Sequence, residues 1–218
     1  PHRLAARLRG PLVGRFHDAG PSARNDAEAL LGQESGQVLC FLIVGVGGGG
    51  PGGSAGGVSC AKAAAEFQGL DLKKATVAIE GFGSVGSAAA EGLRNLGCKV
   101  VAISTFGGGL YEPKGFDLAG LLECYRRHGS RMVDYIDGPK RIPRESLLEL
   151  DVDILVPCAR HHSINLKNVH EIKARLISCG ANVPATGEAE RILWQRGILC
   201  IPDFVANAGG VLGGTMEF

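Results

Sequence analysis

Three glycines, Gly81, Gly83 and Gly86, stand in G-x-G-x-x-G spacing within TVAIEGFGSVGSAAAEGLRNLGCKVVAIST, residues 76–105. The spacing alone is a weak signal, but its surroundings strengthen it. An apolar run leads straight into Gly81, a helical pattern opens at Ser84, and a second apolar run follows on schedule. In that setting Gly81 makes a tight turn, Gly83 lets a pyrophosphate approach the backbone, and Gly86 lets the helix lie close on the sheet. The amides of Ser84 and Val85 at the helix start point toward the same place. The positive end of the helix dipole adds about 0.3–1 kcal/mol for an anion there. Glycines that serve packing alone are the lesser reading.

Where the second strand ends, a binder of unphosphorylated NAD ordinarily places a carboxylate on the adenosine ribose. Here the strand runs Val100-Val101-Ala102-Ile103-Ser104-Thr105, without an acid. The Thr105 hydroxyl can bond a ribose, although it forfeits part of a charged-group hydrogen bond of about 1.5–3 kcal/mol. It also removes the repulsion that rejects a 2′-phosphate. No arginine follows directly to hold one, and Lys114 is the nearest base in sequence. NAD and NADP both stay open.

The elements that position these residues follow from periodicity. Apolar runs at 77–80, 99–104, 153–157, 175–179 and 198–201 have strand length and β-branched content. Helical patterns lie between them over Ser84–Leu96, Asp117–His128, Pro143–Leu150, Leu166–Ala174 and Gly187–Arg196, several stopped by glycine. Thr186 suits the N-cap of the last, with Glu188 and Glu190 in its first turn. Continuous apolar strands alternating with helices predict an α/β, doubly wound Rossmann-type parallel sheet covered on both faces.

Ahead of it, GVGGGGPGGSAGG (45–57) packs nine of the 34 glycines into thirteen residues. This stretch suits a flexible linker and a glycine-rich cofactor or hinge segment about equally. SCAKAAAEFQG (59–69) reads as a helix, and Asn25–Leu31 as a weak one. The expected division is a divergent amino-terminal segment with its linker, 1–58, and a dinucleotide-binding domain, 59–218.

The bulk composition narrows the function further. A chain of 218 residues holds one large domain and its appendage. With 23 basic and 22 acidic residues and a net charge of +1, it has no electrostatic reason to bind nucleic acid or a membrane surface. Its seven cysteines form no CxxC pair and read as reduced core residues, not as metal ligands. No transmembrane segment and no metal site are expected. The opening PHRLAARLRGPLVGRF has four arginines and no acid, as a mitochondrial transit peptide does, yet an ordinary amphipathic helix explains it equally well. A cytoplasmic location is the expectation. Pro1 fits either removal of a start methionine or an excised domain.

From about residue 50 onward the chain resembles the glutamate, leucine, phenylalanine and valine dehydrogenase family, and the cofactor domain of glutamate dehydrogenases most of all. The resemblance rests on VAIEGFGSVGSAAAEGL, GCKVVAIS followed by GGGLYEPKGFD, LLELDVDILVPCA, CGANVPATGEAE, RGILCIPDFVANAGGV and the closing MEF. It implies that Cys158 and Ala159, in what resembles the family's loop after its fourth strand, line the dinucleotide groove. It places Asn182 and Asn207 near the nicotinamide end, where a side-chain amide can both donate and accept; turn capping is the bland alternative for each. By the same likeness Ser54 stands where the family has a cofactor-contacting threonine, and Gly50 roughly where it has an arginine.

The departures fall on the substrate side. The family holds its amino acid with an amino-terminal domain that carries two lysines and an aspartate. Lys62 is the one lysine before residue 73, and neither Asp18 nor Asp26 in HDAGPSARND can be assigned the aspartate's role. A family serine that meets the substrate is replaced by Gly214. His161 and His162 are candidate replacement acid–base groups, although plain loop residues are the favoured reading.

The resemblance therefore implies an amino-acid oxidoreductase that transfers hydride between an amino acid and NAD or NADP, releasing a 2-oxo acid and ammonia. Its catalytic domain is missing or degenerate in this chain. The alternatives are a non-catalytic NAD(P)-binding regulatory or partner subunit, and a fold relic that binds nothing. The expected partners are a dinucleotide, an amino-acid substrate and other subunits in a homo- or hetero-oligomer.

Overall fold

A computed structural model describes residues 53–206, with side chains from residue 57 onward. The expectations for Asn25–Leu31, for Asn207 and for the Ser54 side chain fall outside the described residues. One seven-stranded sheet organises the chain: β1 (Thr76–Glu80), β2 (Lys99–Thr105), β3 (Gly108–Tyr111), β4 (Lys140–Ile142), β5 (Ile154–Pro157), β6 (Leu176–Ser178) and β7 (Leu199–Ile201). The strands lie in the order β4-β3-β2-β1-β5-β6-β7. The five strands from β2 to β7 run parallel, as their uninterrupted apolar runs require: β1, β5 and β6 are almost wholly buried.

The sheet is not parallel throughout. β3 and β4 join its β2 edge antiparallel. Their sequences gave no strand signal, because β3 opens with glycines and β4 is three residues long and charged. Gly109 is needed there for space, since a Cβ on it would lie 2.8 Å from Cγ1 of Ile142. A short edge strand bearing Lys140 and Arg141 also discourages pairing with other chains.

Five α-helices accompany the sheet: α1 (Gly53–Gln68), α2 (Ser84–Asn95), α3 (Leu118–His128), α4 (Gly187–Gln195) and α5 (Asp203–Ala206). α1 begins six residues ahead of the helix expected from Ser59, so GSAGGV is helical rather than linker. Its alanines Ala61, Ala64 and Ala65 are fully buried, and the Ser178 hydroxyl donates to the Gly57 carbonyl at 3.0 Å, which ties the helix to β6. α3 and α4 begin at side-chain caps: Asp117 accepts from the amides of Ala119 and Gly120, and Thr186 from that of Ala189.

Two expected helices take other forms. Pro143–Leu150 holds a 3-10 helix over Glu145–Glu149, which buries Leu147 and Leu148. Residues 166–171 form hydrogen-bonded turns and 172–174 are irregular, instead of a helix. Asparagine side chains capture the backbone there. Asn168 Oδ1 accepts from the Asn165 amide at 2.9 Å and Asn165 Oδ1 from the Lys167 amide at 3.0 Å, while Asn168 Nδ2 donates to the Ser163 carbonyl at 2.7 Å. The Arg196 guanidinium then donates to the carbonyls of Val169 and Ile172.

The chain moves outward from β1 through β2, β3 and β4, then returns to the other side of β1 at β5. The reversal leaves a crevice beyond the carboxyl ends of β1 and β5, the place where open α/β sheets bind ligands. No helix among the described residues is long and apolar enough to cross a membrane.

Candidate dinucleotide site

Backbone hydrogen bonds stitch the loops at the carboxyl ends of β2, β1, β5 and β6 together. Phe82 N donates to Ser104 O at 2.6 Å, and Gly81 N to Ser104 Oγ at 3.2 Å. Cys158 N donates to Glu80 O at 2.7 Å, and the amides of Gly180 and Ala181 both donate to Pro157 O at 2.9 Å. The rim of the crevice is therefore built by main chain, which holds its shape without depending on long side chains.

Each glycine of the fingerprint has its own geometry. Gly81 turns with φ at +90°, and a Cβ on it would sit 2.8 Å from three atoms of Ala159. Gly86 is equally confined, because a Cβ there would meet the Gly81 carbonyl oxygen at 2.1 Å. Gly83 is different: a Cβ built on it meets nothing within 4 Å. It is also the N-cap of α2, extended and without a side-chain cap. The first α2 bond to reach back to it comes from the Ser87 amide, so the amides of Ser84, Val85 and Gly86 have no partner within the helix. An uncapped helix start and a bare backbone position lie together at the sheet's reversal. That cradle has the shape and polarity a pyrophosphate requires.

Thr105 closes β2 with its side chain buried, and its hydroxyl oxygen accepts from the Gly107 amide at 3.2 Å. Cys158 is half-buried behind the rim. Burial and the nearby Glu80 push its thiol up to about 12, so it stays neutral at physiological pH and is a poor nucleophile. Ala159 is exposed beside Gly81, and Asn182 is exposed on the loop after β6. His161 and His162 are exposed and meet edge to face at 5.3 Å, and His162 has φ at +53°. Toward β6, Gly57, Val85, Val156, Ser178 and Gly180 line an apolar recess of about 10 Å³, room for one water at most.

A family model for glutamate/leucine/phenylalanine/valine dehydrogenases matches residues 51–218. The chain belongs to this family. This dehydrogenase-family chain is 50% identical over 160 residues to the glutamate dehydrogenase of Thermotoga maritima, covering 73% of the chain and 38% of that enzyme. It is 44% identical over 147 residues to the NADP-specific glutamate dehydrogenase of Saccharolobus shibatae, covering 67% of the chain and 34% of the relative. Among solved structures, the hetero-hexameric glutamate dehydrogenase of Thermus thermophilus in its Leu-bound form superposes with a TM-score of 0.69 at 33% identity, over 76% of this chain and 38% of that one. The chain thus spans well under half the length of the relatives it matches.

Three charged residues of this family member escaped the reading of spacing, because the fold gathers them from distant segments. Glu80, last in β1, is 6% exposed, and its Oε2 is buried without a hydrogen-bond partner. Its Oε1 lies 4.0 Å from Arg160 Nε. Burial raises its pKa above the usual carboxylate range, against the opposing pull of a Ser163 hydrogen bond and the charges of Arg160 and Arg144. Arg144 stands over the ring of Phe106, 5.7 Å from its centroid, and Phe106 is 86% exposed. The apolar-to-glycine step IEG was the one available signal for Glu80, a carboxylate ending an otherwise apolar strand.

Proposed function

We propose that residues 53–206 form the core of the dinucleotide-binding domain of a glutamate dehydrogenase-type amino-acid oxidoreductase, with NAD or NADP as cofactor. The carrying observation is the bare Gly83 at the uncapped start of α2, set at the sheet reversal. Relatives named for both cofactors support the choice of ligand, the NADP-specific enzyme of S. shibatae and a NAD-specific glutamate dehydrogenase of Bacillus subtilis, 42% identical over 159 residues.

In this reading the amides of Ser84, Val85 and Gly86 bind the pyrophosphate, and Gly83 gives it access. Thr105 faces the adenosine ribose, Cys158 and Ala159 wall the groove, and Asn182 and Asn207 serve the nicotinamide end. The bound cofactor would accept hydride from the α-carbon of an amino acid. The neutral Cys158 thiol takes no part in proton transfer, and the stitched rim fixes the orientation on which hydride transfer depends.

Fluorescence titration of the 218-residue chain with NADH and NADPH tests the groove. Binding in the micromolar range by the wild type, weakened at least tenfold by Gly83→Val, is the expected result. Equal binding by the variant overturns the reading.

A second reading is a cofactor-binding subunit that does not turn over by itself. Reduction of NAD(P) by the purified chain with any amino acid removes that reading.

A further inference from the structure

We infer that Arg144 and Arg160 make this groove select the dinucleotide that bears a 2′-phosphate. The inference rests on the dinucleotide site proposed above.

The argument begins at the end of β2, where the adenosine ribose of a bound dinucleotide lies. A carboxylate at that position would bond the ribose 2′-hydroxyl and repel a phosphate. Thr105 supplies no such repulsion: it is uncharged, and with its oxygen accepting from the Gly107 amide only its O–H is left to donate to a ribose. The position immediately after it is Phe106, and over that exposed ring stands the Arg144 guanidinium. A guanidinium thus stands over the residue that follows the strand.

Lys114, the nearest base in sequence, is at the wrong end of the strand. Gly115 packs on Lys99, and the Phe116 amide bonds the Val100 carbonyl, so this segment lies beside the amino end of β2. Seven strand residues at about 3.3 Å each separate that end from Thr105. Arg144 reaches the carboxyl end instead, because the 3-10 helix over Glu145–Glu149 packs its buried leucines beneath β1 and β2 and sets the residue before it at the rim.

The charges around Arg144 leave it able to bind. Its Nε donates to Glu145 Oε1 at 2.6 Å, which neutralises Glu145, while its two terminal nitrogens make no hydrogen bond among the described residues. Arg160 enters from the loop after β5. Its Nε lies 4.0 Å from Glu80 Oε1, and its terminal nitrogens are likewise unbonded among the described residues. The acids facing the two arginines are Glu145 and Glu80. The first is already paired, and burial favours the uncharged form of the second. Ser163 beside Glu80 adds a neutral hydroxyl. Two half-exposed guanidiniums, both within electrostatic reach of Glu80 at the end of β1, offer the unbonded terminal nitrogens that a phosphate monoester takes as forked donors.

Equilibrium titration of the 218-residue chain with NADPH and NADH, followed by fluorescence, tests the selection without any turnover. The wild type should bind NADPH at least tenfold more tightly than NADH, and the preference should shrink as salt rises from 50 to 300 mM, on the order of the Debye screening expected at a half-exposed site. Arg144→Ala should weaken NADPH at least tenfold and change NADH less than about twofold, and retained NADH binding shows that the variant is folded. Arg160→Ala should lower NADPH affinity in the same selective way. Equal or tighter binding of NADH by the wild type overturns the inference while leaving the groove intact. So does an equal loss of both ligands in both arginine variants. Failure of the wild type to bind either ligand overturns the groove itself.

Discussion

The backbone of Gly86 passes so close to Gly81 that a Cβ on Gly86 would lie 2.1 Å from the Gly81 carbonyl oxygen, whereas a Cβ on Gly83 would touch nothing. The two glycines therefore separate folding from access. Gly86→Ala must push α2 off the strand end, and a cost of about 1–3 kcal/mol is expected from overpacking. Gly83→Ala should leave the melting temperature within about 2 °C, as expected of a surface change within ±0.5 kcal/mol, while weakening dinucleotide binding. Thermal melts of both variants check this, and a large destabilisation by Gly83→Ala would contradict it.

Glu80 predicts an unusual pH dependence. Its folded-state pKa lies above the unfolded one, chiefly through burial, so the protonated carboxyl is the form that the folded state prefers. Its contribution is complete below the unfolded value and is lost as pH rises through the folded value. Glu80→Gln removes the ionisation and should raise the melting temperature at pH 8. The gain is about 2–4 °C for each kcal/mol recovered in a domain of this size. The gain should fade toward pH 4.5. A constant difference between wild type and variant across that range would refute the assignment.

Asp153 lies at the other end of the sheet, away from the crevice. Its Oδ2 accepts from both the amide and the hydroxyl of Thr76 at 2.9 Å, its amide donates to the Thr76 hydroxyl at 3.1 Å, and Arg175 approaches Oδ1 at 3.7 Å. It clamps the amino ends of β1 and β5. Asp153→Ala should lower the urea midpoint by the equivalent of about 1–3 kcal/mol, since it leaves a half-buried donor pair unsatisfied. NADPH affinity measured below the transition should be unchanged.

Gly180 and Cys158 form a coupled pair across the rim. A Cβ on Gly180 would lie 2.4 Å from the Cys158 sulfur and 3.2 Å from a Val85 methyl. Gly180→Ala is expected to destabilise by about 1–3 kcal/mol. Adding Cys158→Ala should recover most of that loss, because the obstructing atom is removed. A double-mutant cycle by chemical denaturation measures the coupling, and strict additivity of the two changes would contradict the contact.

Much of the fold was legible in the sequence. β1, β5 and β6 announced themselves as uninterrupted apolar runs because both of their faces are covered. α2, α3 and α4 could be bounded by their caps, and Asp117 and Thr186 do bond the first-turn amides. Where short-range chemistry competes with periodicity, the reading failed. Residues 166–174 have helical spacing, yet the side chains of Asn165 and Asn168 bond the adjacent backbone and hold it in local turns. β3 was hidden by its glycines, which are required by the approach of Ile142 from the neighbouring strand.

By itself the sequence determined the family, the five parallel strands, the helices α2, α3 and α4, and the three glycines at the start of α2, because periodicity and turn chemistry are properties of neighbouring residues. Only the tertiary structure decided that Gly83 stands open while Gly81 and Gly86 are crowded, that Glu80 is buried with one oxygen unpartnered, and that Arg144 reaches Phe106 from 38 residues away. Those facts depend on how the sheet reverses between β1 and β5 and on which segments that reversal stacks, and no local pattern along the chain encodes a distance between its remote parts.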